Sequence, residues 1–320
     1  MRTIALEEHY ATRALLDASA SNRQLASGAF AQLETQLFDL DAGRIAAMDA
    51  ASIDLQVLSL LAPGVEQLAP ADAIAVTHEA NDLLGAAVRR HPTRLAGFAA
   101  LPTPAPDAAA DELERVVREY GFKGGQVSGH IGGRYLDDPI FRPLLARAEA
   151  LQVPLYLHPS PPPPAVIAAI YSGFTPQITA MLASGGFGWH IDTALHVLRL
   201  ILGGAFDRYP QLQVIVGHMG ETLPFMLPRF DIAFPHQVTG LAHPVSDYLR
   251  QNVHYTFAGF NWTPAFLDLL LQVGVDRIMF STDYPFASMS AAHSFLEHAP
   301  VSPADRERIA HGNSERLLRL

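Results

Sequence analysis

The sequence has no cysteine, and this absence removes several kinds of chemistry from consideration. Without thiols the chain forms no disulfide, holds no iron–sulfur cluster or thiolate-bound metal, and has no cysteine nucleophile. Any metal ion would be bound by the 14 histidines and the 32 aspartates and glutamates.

Lysine is nearly absent as well, since Lys123 is the single lysine in the chain. Schiff-base chemistry would have to use this residue, which the strand pattern puts at the wrong end of its strand to face a ligand. The glycine-rich phosphate-binding patterns G-x-G-x-x-G and G-x-x-x-x-G-K-[ST] do not occur. A nucleotide cofactor is therefore not expected.

Long apolar runs and basic tracts are also missing. No apolar run reaches the roughly 18 residues of a membrane-spanning helix, and the first residues have a strand pattern rather than that of a signal peptide. A net charge of −10 without a basic tract argues against a nucleic-acid partner. We expect a cytoplasmic protein that binds a small molecule and neither nucleic acid nor a membrane.

Short apolar runs alternate with amphipathic helical patterns along the whole chain. Eight runs have the length and apolar content of strands buried on both faces: residues 3–9, 54–60, 95–101, 123–128, 153–158, 213–218, 253–257 and 277–282. Helical spacing covers residues 72–90, 107–120, 138–151, 192–202 and 264–273. This alternation predicts an α/β fold, a (β/α)8 TIM-type barrel forming one domain over residues 1–320. A doubly wound open sheet is the alternative, because periodicity does not separate the two folds.

Two connections are longer than usual and are predicted as insertions. Residues 10–42 follow the first strand and residues 159–189 follow the fifth. Both leave the C-terminal ends of strands, where long loops commonly form lids or substrate walls. The second begins with a proline-rich run over 159–164, which is predicted to be a stiff extended segment.

The first strand ends in Glu7, Glu8 and His9. Because alternate residues of a strand share a face, Glu7 and His9 are predicted to point the same way and Glu8 the other way. A carboxylate beside an imidazole is a suitable first pair of ligands for a divalent metal ion. An isolated E-x-H is more commonly a solvated strand end, so the interpretation depends on the rest of the chain.

Further residues of these types stand at the C-terminal ends of other strands. His158 ends the fifth strand, His218 the sixth and Asp283 the eighth. Each alone has an ordinary structural explanation, as a hydrogen-bonded core histidine or a turn aspartate. Together with Glu7 and His9 they would meet at the rim where barrel enzymes have their active sites, which predicts a metal centre with an acid–base group.

Four motifs carry a family resemblance: Glu7-Glu8-His9, Leu157-His158-Pro159, Gly217-His218-Met219-Gly220-Glu221 and Ser281-Thr282-Asp283-Tyr284-Pro285. They resemble the amidohydrolase superfamily, and within it the metal-dependent decarboxylases of γ-resorcylate, dihydroxybenzoate, 5-carboxyvanillate and aminocarboxymuconate semialdehyde. E-x-H in the first strand is more similar to the aromatic-acid enzymes than to the semialdehyde enzyme. Members are commonly dimers or tetramers, so the resemblance implies a homodimer or homotetramer.

The resemblance implies one divalent metal ion, Zn²⁺ or Mn²⁺, held by Glu7, His9, His158 and Asp283. Superfamily members with two metals bridge them by a carboxylated lysine at the end of the fourth strand. This chain has Val127-Ser128-Gly129 there. We therefore expect one ion with open coordination positions for a substrate.

The same resemblance implies non-oxidative decarboxylation of a hydroxylated aromatic acid, in which a ring carbon is protonated and carbon dioxide leaves. His218, oriented by Glu221, would bind or activate a substrate oxygen, and Asp283 would donate the proton. Arg229 and Arg44 would pair with a substrate anion, a solvated helix face being the alternative role for each.

One segment departs from the pattern of these decarboxylases. They tend to carry Trp-x-Phe-x-x-Glu-Thr-Ala, whereas this chain has Phe187-Gly188-Trp189-His190-Ile191-Asp192-Thr193-Ala194. The two rings are exchanged and the acid is shortened. We expect Phe187 and Trp189 to contact an aromatic carboxylate substrate in a wall of different shape.

A hydrolase is the main alternative to a carboxy-lyase. The same metal ion and histidine would deliver hydroxide to an ester, lactone or amide carbonyl, as in much of the superfamily. The missing lysine at the end of the fourth strand, the E-x-H pair and the arginines favour the carbon–carbon lyase. A catalytically silent barrel is disfavoured, because all five predicted rim residues are present.

Overall fold

The computed structural model describes residues 1–18 and 33–320. All the strand pairs in this part of the chain are parallel, and they form two adjoining sheets. The strands are β1 (Ile4–Tyr10), β2 (Leu55–Leu60), β3 (Leu95–Gly97), β4 (Ala99–Ala100), β5 (Gly125–Ser128), β6 (Leu155–His158), β7 (Val214–Val216), β8 (Val253–Thr256) and β9 (Ile278–Met279).

The two sheets join into a closed (β/α)8 barrel. Neighbouring strands follow chain order throughout, in the orders β1-β2-β3 and β4-β5-β6-β7-β8-β9. β3 and β4 are halves of one barrel strand, and Phe98 between them donates its N–H to the carbonyl of Leu58 at 2.8 Å. At the other seam the N–H of Leu6 donates to the carbonyl of Phe280 at 3.2 Å, which joins the last strand to the first. A doubly wound sheet would reverse its strand order, so that alternative is excluded.

Helices follow the strands and cover the outside of the barrel. Their bounds are α1 (Arg13–Asp17), α2 (Glu34–Phe38), α3 (Ala42–Ala50), α4 (Pro70–Arg90), α5 (Pro106–Tyr120), α6 (Arg142–Leu151), α7 (Pro164–Val166), α8 (Pro176–Ala183), α9 (Gly188–Leu202), α10 (Ala205–Arg208), α11 (Leu223–Ala233), α12 (His236–Thr239), α13 (Val245–Gln251), α14 (Thr263–Val273), α15 (Met289–Glu297), α16 (Pro303–Glu307) and α17 (Asn313–Leu318). Short 3₁₀ or π turns are Pro139–Phe141, Ile167–Tyr171, His218–Gly220, Val275–Arg277 and Arg308–Gly312.

The predicted elements agree closely with these bounds. Every predicted strand is present within a few residues, and proline starts α4 and α5 at N1, where its missing N–H costs nothing. The largest difference is α9, which begins at Gly188 rather than at residue 192 and so takes in part of the second predicted insertion. That insertion is helical rather than a plain loop over Pro176–Ala183. Much of the first insertion, residues 19–32, lies outside the described residues.

Two apolar layers hold the barrel together. The inner layer comes from alternate strand positions and fills the interior: Ile4, Leu6, Leu55, Val57, Ala96, Phe98, Tyr156, Ile215 and Met279, closed at the bottom by Leu318. The outer layer lies between strands and helices and contains the opposite positions, such as Ala5, Leu58 and Leu157. This two-layer packing leaves the C-terminal rim as the region where polar side chains gather.

The prediction of a single domain stays a prediction.

No single helix in the described ranges is long and apolar enough to cross a membrane. One pair, Pro164–Tyr171 with Pro176–Leu202, reaches the required length and apolarity only when taken together, and it is bent by 114°.

Candidate active site

A β-bulge decides which way the end of β1 faces. Ala5 pairs with Gln56 and Glu8 with Leu58, so β1 has one residue more than β2 between these pairs. Glu7, the extra residue, has a φ of 61°, a left-handed conformation that few non-glycine residues adopt. Strict alternation would have put Glu7 on the outward face with Ala5. The bulge instead directs both Glu7 and His9 to the inside, the shared face that the E-x-H pattern predicts.

The four predicted ligands lie together at the rim. Ligating atoms of Glu7, His9 and His158 are all within 4.8 Å of one another. Oε1 of Glu7 is 3.3 Å from Nε2 of His158, and Nε2 of His9 is 3.3 Å from Oδ1 of Asp283. Two donors about 2.1 Å from one shared ion stand roughly 3.0 to 3.4 Å apart, so these separations suit metal ligands.

Hydrogen bonding shows why this cluster fits a cation. Nδ1 of His158 lies 2.7 Å from the carbonyl oxygen of Pro159, which can only accept, so Nδ1 carries the proton and Nε2 has a lone pair. That lone pair faces Oε1 of Glu7, a buried oxygen without a hydrogen-bond partner among residues 1–18 and 33–320. Two facing acceptors repel each other unless a cation or a proton lies between them. Two carboxylates and two imidazoles suit either Zn²⁺ or Mn²⁺.

The second carboxylate oxygen of Glu7, Oε2, is held by hydroxyl groups of the barrel interior. Tyr156 donates its hydroxyl hydrogen to Oε2 of Glu7, and the hydroxyl of Thr256 lies 3.4 Å from the same oxygen. Gly217 passes so close that a Cβ there would lie 2.4 Å from Oε2. The carboxylate therefore has one oxygen held by the protein and one directed at His158.

Burial shifts the acid–base properties of these ligands. Burial raises the pKa of Glu7 to about 8, partly offset by the charge of His218. Burial, together with the neighbouring His9 and His218, holds the pKa of His158 well below its usual value, so this imidazole is neutral. A bound divalent cation would favour the ionised form of Glu7, which is the form that binds metal.

A second buried cluster adjoins the first. Nδ1 of His218 lies 2.7 Å from Oε1 of Glu221, and Nδ1 of His190 lies 2.5 Å from Oε2 of the same carboxylate. These are hydrogen-bond lengths, shorter than the spacing of ligands around an ion. Burial opposes the charged form of His218, but the carboxylates of Glu221 and Glu7 outweigh it and raise the pKa of His218 to about 10. His218 is therefore a cation held by Glu221.

Unusual backbone conformations coincide with these side chains. Positive φ values occur at Glu7, at Asp283 (65°), and along the turn after β7 at His218 (49°), Met219 (57°) and Glu221 (53°). Such conformations cost about 1–3 kcal/mol each in non-glycine residues and persist only where surrounding contacts enforce them. Their coincidence with the rim cluster supports a functional role for this region.

A cavity of about 430 Å³ opens directly over the cluster, a size typical of small-molecule sites. His9, His158, His218 and Asp283 form its polar end. Its other walls are mainly apolar: the β2 loop over Leu61–Pro63, the proline-rich segment over Pro159–Pro161, Trp189 and Phe286. Of the described residues, no arginine or lysine lines it.

Arg44, which was predicted to pair with a substrate anion, does not line the cavity. Its side chain is completely buried, and its guanidinium donates to the carbonyls of Asp39 (2.7 Å), His9 (2.7 Å) and Gln36 (3.0 Å) and to the side chain of Gln56. The three carbonyls come from the end of β1, from α2 and from the residue that follows α2, and one planar donor group reaches all of them. Arg44 stabilises the end of β1 from outside the barrel.

Two other predicted substrate contacts also lie away from the cavity. Arg229 is exposed on α11, and Phe187 is 50% exposed just before α9. Because α9 already begins at Gly188, Trp189 is helical while Phe187 precedes the helix, and the two rings point in different directions. Trp189 alone of the two rings lines the cavity.

Several residues of the site were not predicted. Tyr156 stands two residues before His158 on β6, so strand alternation would have put it on the same inner face. Glu8, on the outer face, accepts hydrogen bonds from the backbone of Thr282 at 2.8 Å and of Tyr284 at 3.3 Å, and so holds both neighbours of Asp283. No sequence pattern indicated that His190 belongs to the site, because the position of His190 depends on the residue at which α9 begins.

Fold and site together define a class: a (β/α)8 barrel with a candidate metal centre of two carboxylates and two histidines at its C-terminal rim. The chain belongs to the amidohydrolase family, because a family model described as "Amidohydrolase" matches residues 32–320. This agrees with the resemblance carried by the four sequence motifs.

Several of the similar proteins are decarboxylases. The chain is 38% identical to the gamma-resorcylate decarboxylase of Polaromonas sp. (strain JS666 / ATCC BAA-500) over 328 residues, 99% of this chain and 98% of that one. It is similar to the dihydroxybenzoic acid decarboxylase structure from Polaromonas sp. JS666 with bound manganese and the inhibitor 2-nitroresorcinol (TM-score 0.91, 37% identity, covering 100% and 97% of the two chains). A 2,6-dihydroxybenzoate decarboxylase complexed with 2,6-dihydroxybenzoate gives a TM-score of 0.90 at 36% identity, covering 100% of both chains.

Proposed function

We propose that this protein is a divalent-metal-dependent decarboxylase of a hydroxylated aromatic carboxylic acid. The observation that carries the proposal is the rim cluster, in which the acceptor atoms of Glu7 and His158 face each other at the polar end of an otherwise apolar cavity. The names and ligands of the similar proteins support this substrate class. The reaction is cleavage of a carbon–carbon bond with release of carbon dioxide.

We propose Glu7, His9, His158 and Asp283 as the ligands of one Mn²⁺ or Zn²⁺ ion. When bound, such an ion supplies positive charge that orients and polarises the oxygens of a chelating hydroxy acid. The manganese in the structure from Polaromonas sp. JS666 supports Mn²⁺ as the first ion to test.

The protein groups around the cavity suit the remaining steps. The imidazolium of His218, kept charged by Glu221, lines the cavity and would bind a substrate oxygen. Asp283 is partly exposed to the cavity, unlike the fully buried Glu7, and it would carry the proton delivered to the ring carbon. The apolar walls would exclude water from the substrate ring as the carboxylate leaves.

The test is a substrate panel with defined metal content. Metal-free protein reconstituted with Mn²⁺ or Zn²⁺ is assayed for carbon dioxide release from dihydroxybenzoates and carboxyvanillate, beside aryl esters and lactones. We expect carbon dioxide without ester hydrolysis, loss of activity on chelation, and loss in His218→Asn but not in the control His298→Asn, an exposed histidine. If the protein hydrolysed esters and released no carbon dioxide from the aromatic acids, it would be a hydrolase and not a lyase.

We further propose that the protein is a homodimer or homotetramer. Large apolar side chains are exposed on the second insertion, at Ile170 (65%), Phe174 (58%) and Met181 (61%). Exposed apolar groups of this kind mark association surfaces. Light scattering coupled to size exclusion measures the assembly directly.

The cytoplasmic location stays a prediction, which fractionation of the source cells would test.

A further inference from the structure

His190 shares the carboxylate of Glu221 with His218. It lies on the first turn of α9, is buried, and contacts the ring of His218 at a centroid distance of 4.8 Å. Each oxygen of Glu221 thus faces one imidazole nitrogen, Oε1 that of His218 and Oε2 that of His190. Glu221 is completely enclosed, so these contacts decide where its carboxylate points.

The tautomer of His190 follows from its other neighbour. Nε2 of His190 lies 3.0 Å from Nε1 of Trp189, which can only donate, and 3.3 Å from the carbonyl oxygen of Gly185, which can only accept. The shorter of the two contacts, with the indole, requires Nε2 to accept. Nε2 of His190 therefore carries a lone pair, and its Nδ1 carries the hydrogen that is donated to Glu221. A chain of hydrogen bonds runs from the cavity wall at Trp189 through His190 and Glu221 to His218, which lines the same cavity.

The turn that carries Glu221 needs support from outside. Met219, Glu221 and Thr222 all have positive φ, and no side chain caps the start of α11 after them. Such a turn is not held by its own backbone preferences. The His190 hydrogen bond reaches it from a different barrel unit, and the ring of Phe260 packs against both histidines at 5.3 and 5.4 Å.

We propose that His190 is a positioning residue of the active site, which fixes the carboxylate of Glu221 so that His218 is held toward the substrate. It does not touch the reacting atoms. This inference rests on the proposed function, because His218 must act on the substrate for its position to affect turnover.

Matched amide variants test the proposal. The amide nitrogen of asparagine falls near Nδ1 of the replaced ring and can still donate to Glu221, whereas the amide of glutamine falls nearer Nε2. We expect His190→Gln and His190→Ala to lower kcat about 10- to 100-fold with little change in KM, and His190→Asn to recover most of the loss. Metal content and thermal unfolding are measured for every variant, so that only folded, metal-loaded protein is compared.

The pH profile separates positioning from simple packing. Burial raises the pKa of Glu221, but the charge of His218 and then the hydrogen bond of His190 hold it below its usual value. Losing the His190 donor should therefore move the acidic limb of the kcat profile to higher pH in the glutamine and alanine variants, and not in asparagine. Among the described residues, His218 and Glu221 are the titratable groups in contact with His190, and Glu7 and Tyr156 are near enough to Glu221 to interact with its charge.

Three results would overturn the role of His190: wild-type kcat in His190→Ala, equal losses in the asparagine and glutamine variants, or an unmoved acidic limb. A substrate-free measurement separates this failure from failure of the proposed function. The Nδ1–H proton resonance of His218, hydrogen-bonded to Glu221, should change in the glutamine and alanine variants and persist in asparagine. If no acid were decarboxylated, this resonance alone would decide whether His190 fixes the pair.

Discussion

Replacing Tyr156 by phenylalanine would remove one hydroxyl from behind the proposed metal ligand Glu7 and leave the aromatic ring in place. The hydroxyl is the main fixed contact of Oε2 of Glu7, since within residues 1–18 and 33–320 the other hydrogen-bond partner of that oxygen, the hydroxyl of Thr256, is 3.4 Å away. Tyr156 is completely buried, and burial keeps its pKa far above the usual value, so it remains a donor at all working pH values. Without it the carboxylate would be free to rotate away from His158.

The size of the effect follows from the kind of bond that is lost. A hydrogen bond to a charged group contributes about 1.5–3 kcal/mol, and loss of an outer contact of a metal ligand typically costs 10- to 100-fold in metal affinity. We expect Tyr156→Phe to weaken Mn²⁺ and Zn²⁺ binding by about that factor. Activity should fall at limiting metal and recover largely at saturating metal, because the other ligands remain.

Competition against a chromogenic chelator measures the affinity of purified protein for each ion. Tyr10→Phe is the matched control: Tyr10 is equally buried, and its hydroxyl donates to the carbonyl of Ala80 on α4 at 3.1 Å, on the outer side of the barrel. Metal affinity of Tyr156→Phe within twofold of wild type, or an equal loss in Tyr10→Phe, would refute the assignment of Tyr156 as the support of Glu7.

Two stability predictions follow from groups outside the cavity. Arg44→Met should lower the free energy of unfolding by about 3–5 kcal/mol in urea titrations, because several buried carbonyls lose their donor, while the exposed Arg134→Met should change it little. Glu66 is buried with one oxygen bonded to the N–H of Ser128, and burial raises the pKa of Glu66 to about 8. The stability that this raised pKa contributes is present below the unfolded value near 4.5 and is lost as pH rises toward 8, by at most about 5 kcal/mol. Glu66→Gln should remove that part of the pH dependence, and parallel slopes for the two proteins would contradict it.

The outward-facing side chain of Glu8 stabilises the end of β1, whereas the inward-facing side chains belong to the candidate active site. Glu8 holds the residues on either side of Asp283, and its Oε2 accepts from Gln56, which in turn accepts from Arg44. Burial raises the pKa of Glu8 to about 7, although the hydrogen bonds from Thr282 act to lower it. The two glutamates at the bulge therefore have different roles: Glu7 faces the candidate metal site, and Glu8 connects β1 to the loop that carries Asp283, the fourth proposed ligand.

Much of the architecture was predictable because it depends on local patterns. Continuous apolar runs of strand length, separated by helical spacing, gave the eight barrel strands almost to the residue, and prolines marked the starts of α4 and α5. His158, His218 and Asp283 could be grouped because parallel barrel strands all end at one rim. The surroundings of Arg44 and Phe187 could not be predicted in this way, because Arg44 is held by carbonyls from separate parts of the chain and Phe187 precedes a helix that begins earlier than its apolar spacing indicates.

The sequence by itself determined the order of strands and helices, and with it the placement of the strand ends that carry Glu7, His9, His158 and Asp283 at one rim, because hydrophobic periodicity and chain order are local properties. Only the tertiary structure decided that a bulge turns Glu7 inward, that Tyr156 supports it and that His190 reaches Glu221. These contacts join residues more than 30 positions apart, or depend on one backbone angle, and no local pattern encodes either. Side-chain geometry at this rim is set by packing between barrel units, which exists only once the barrel has closed.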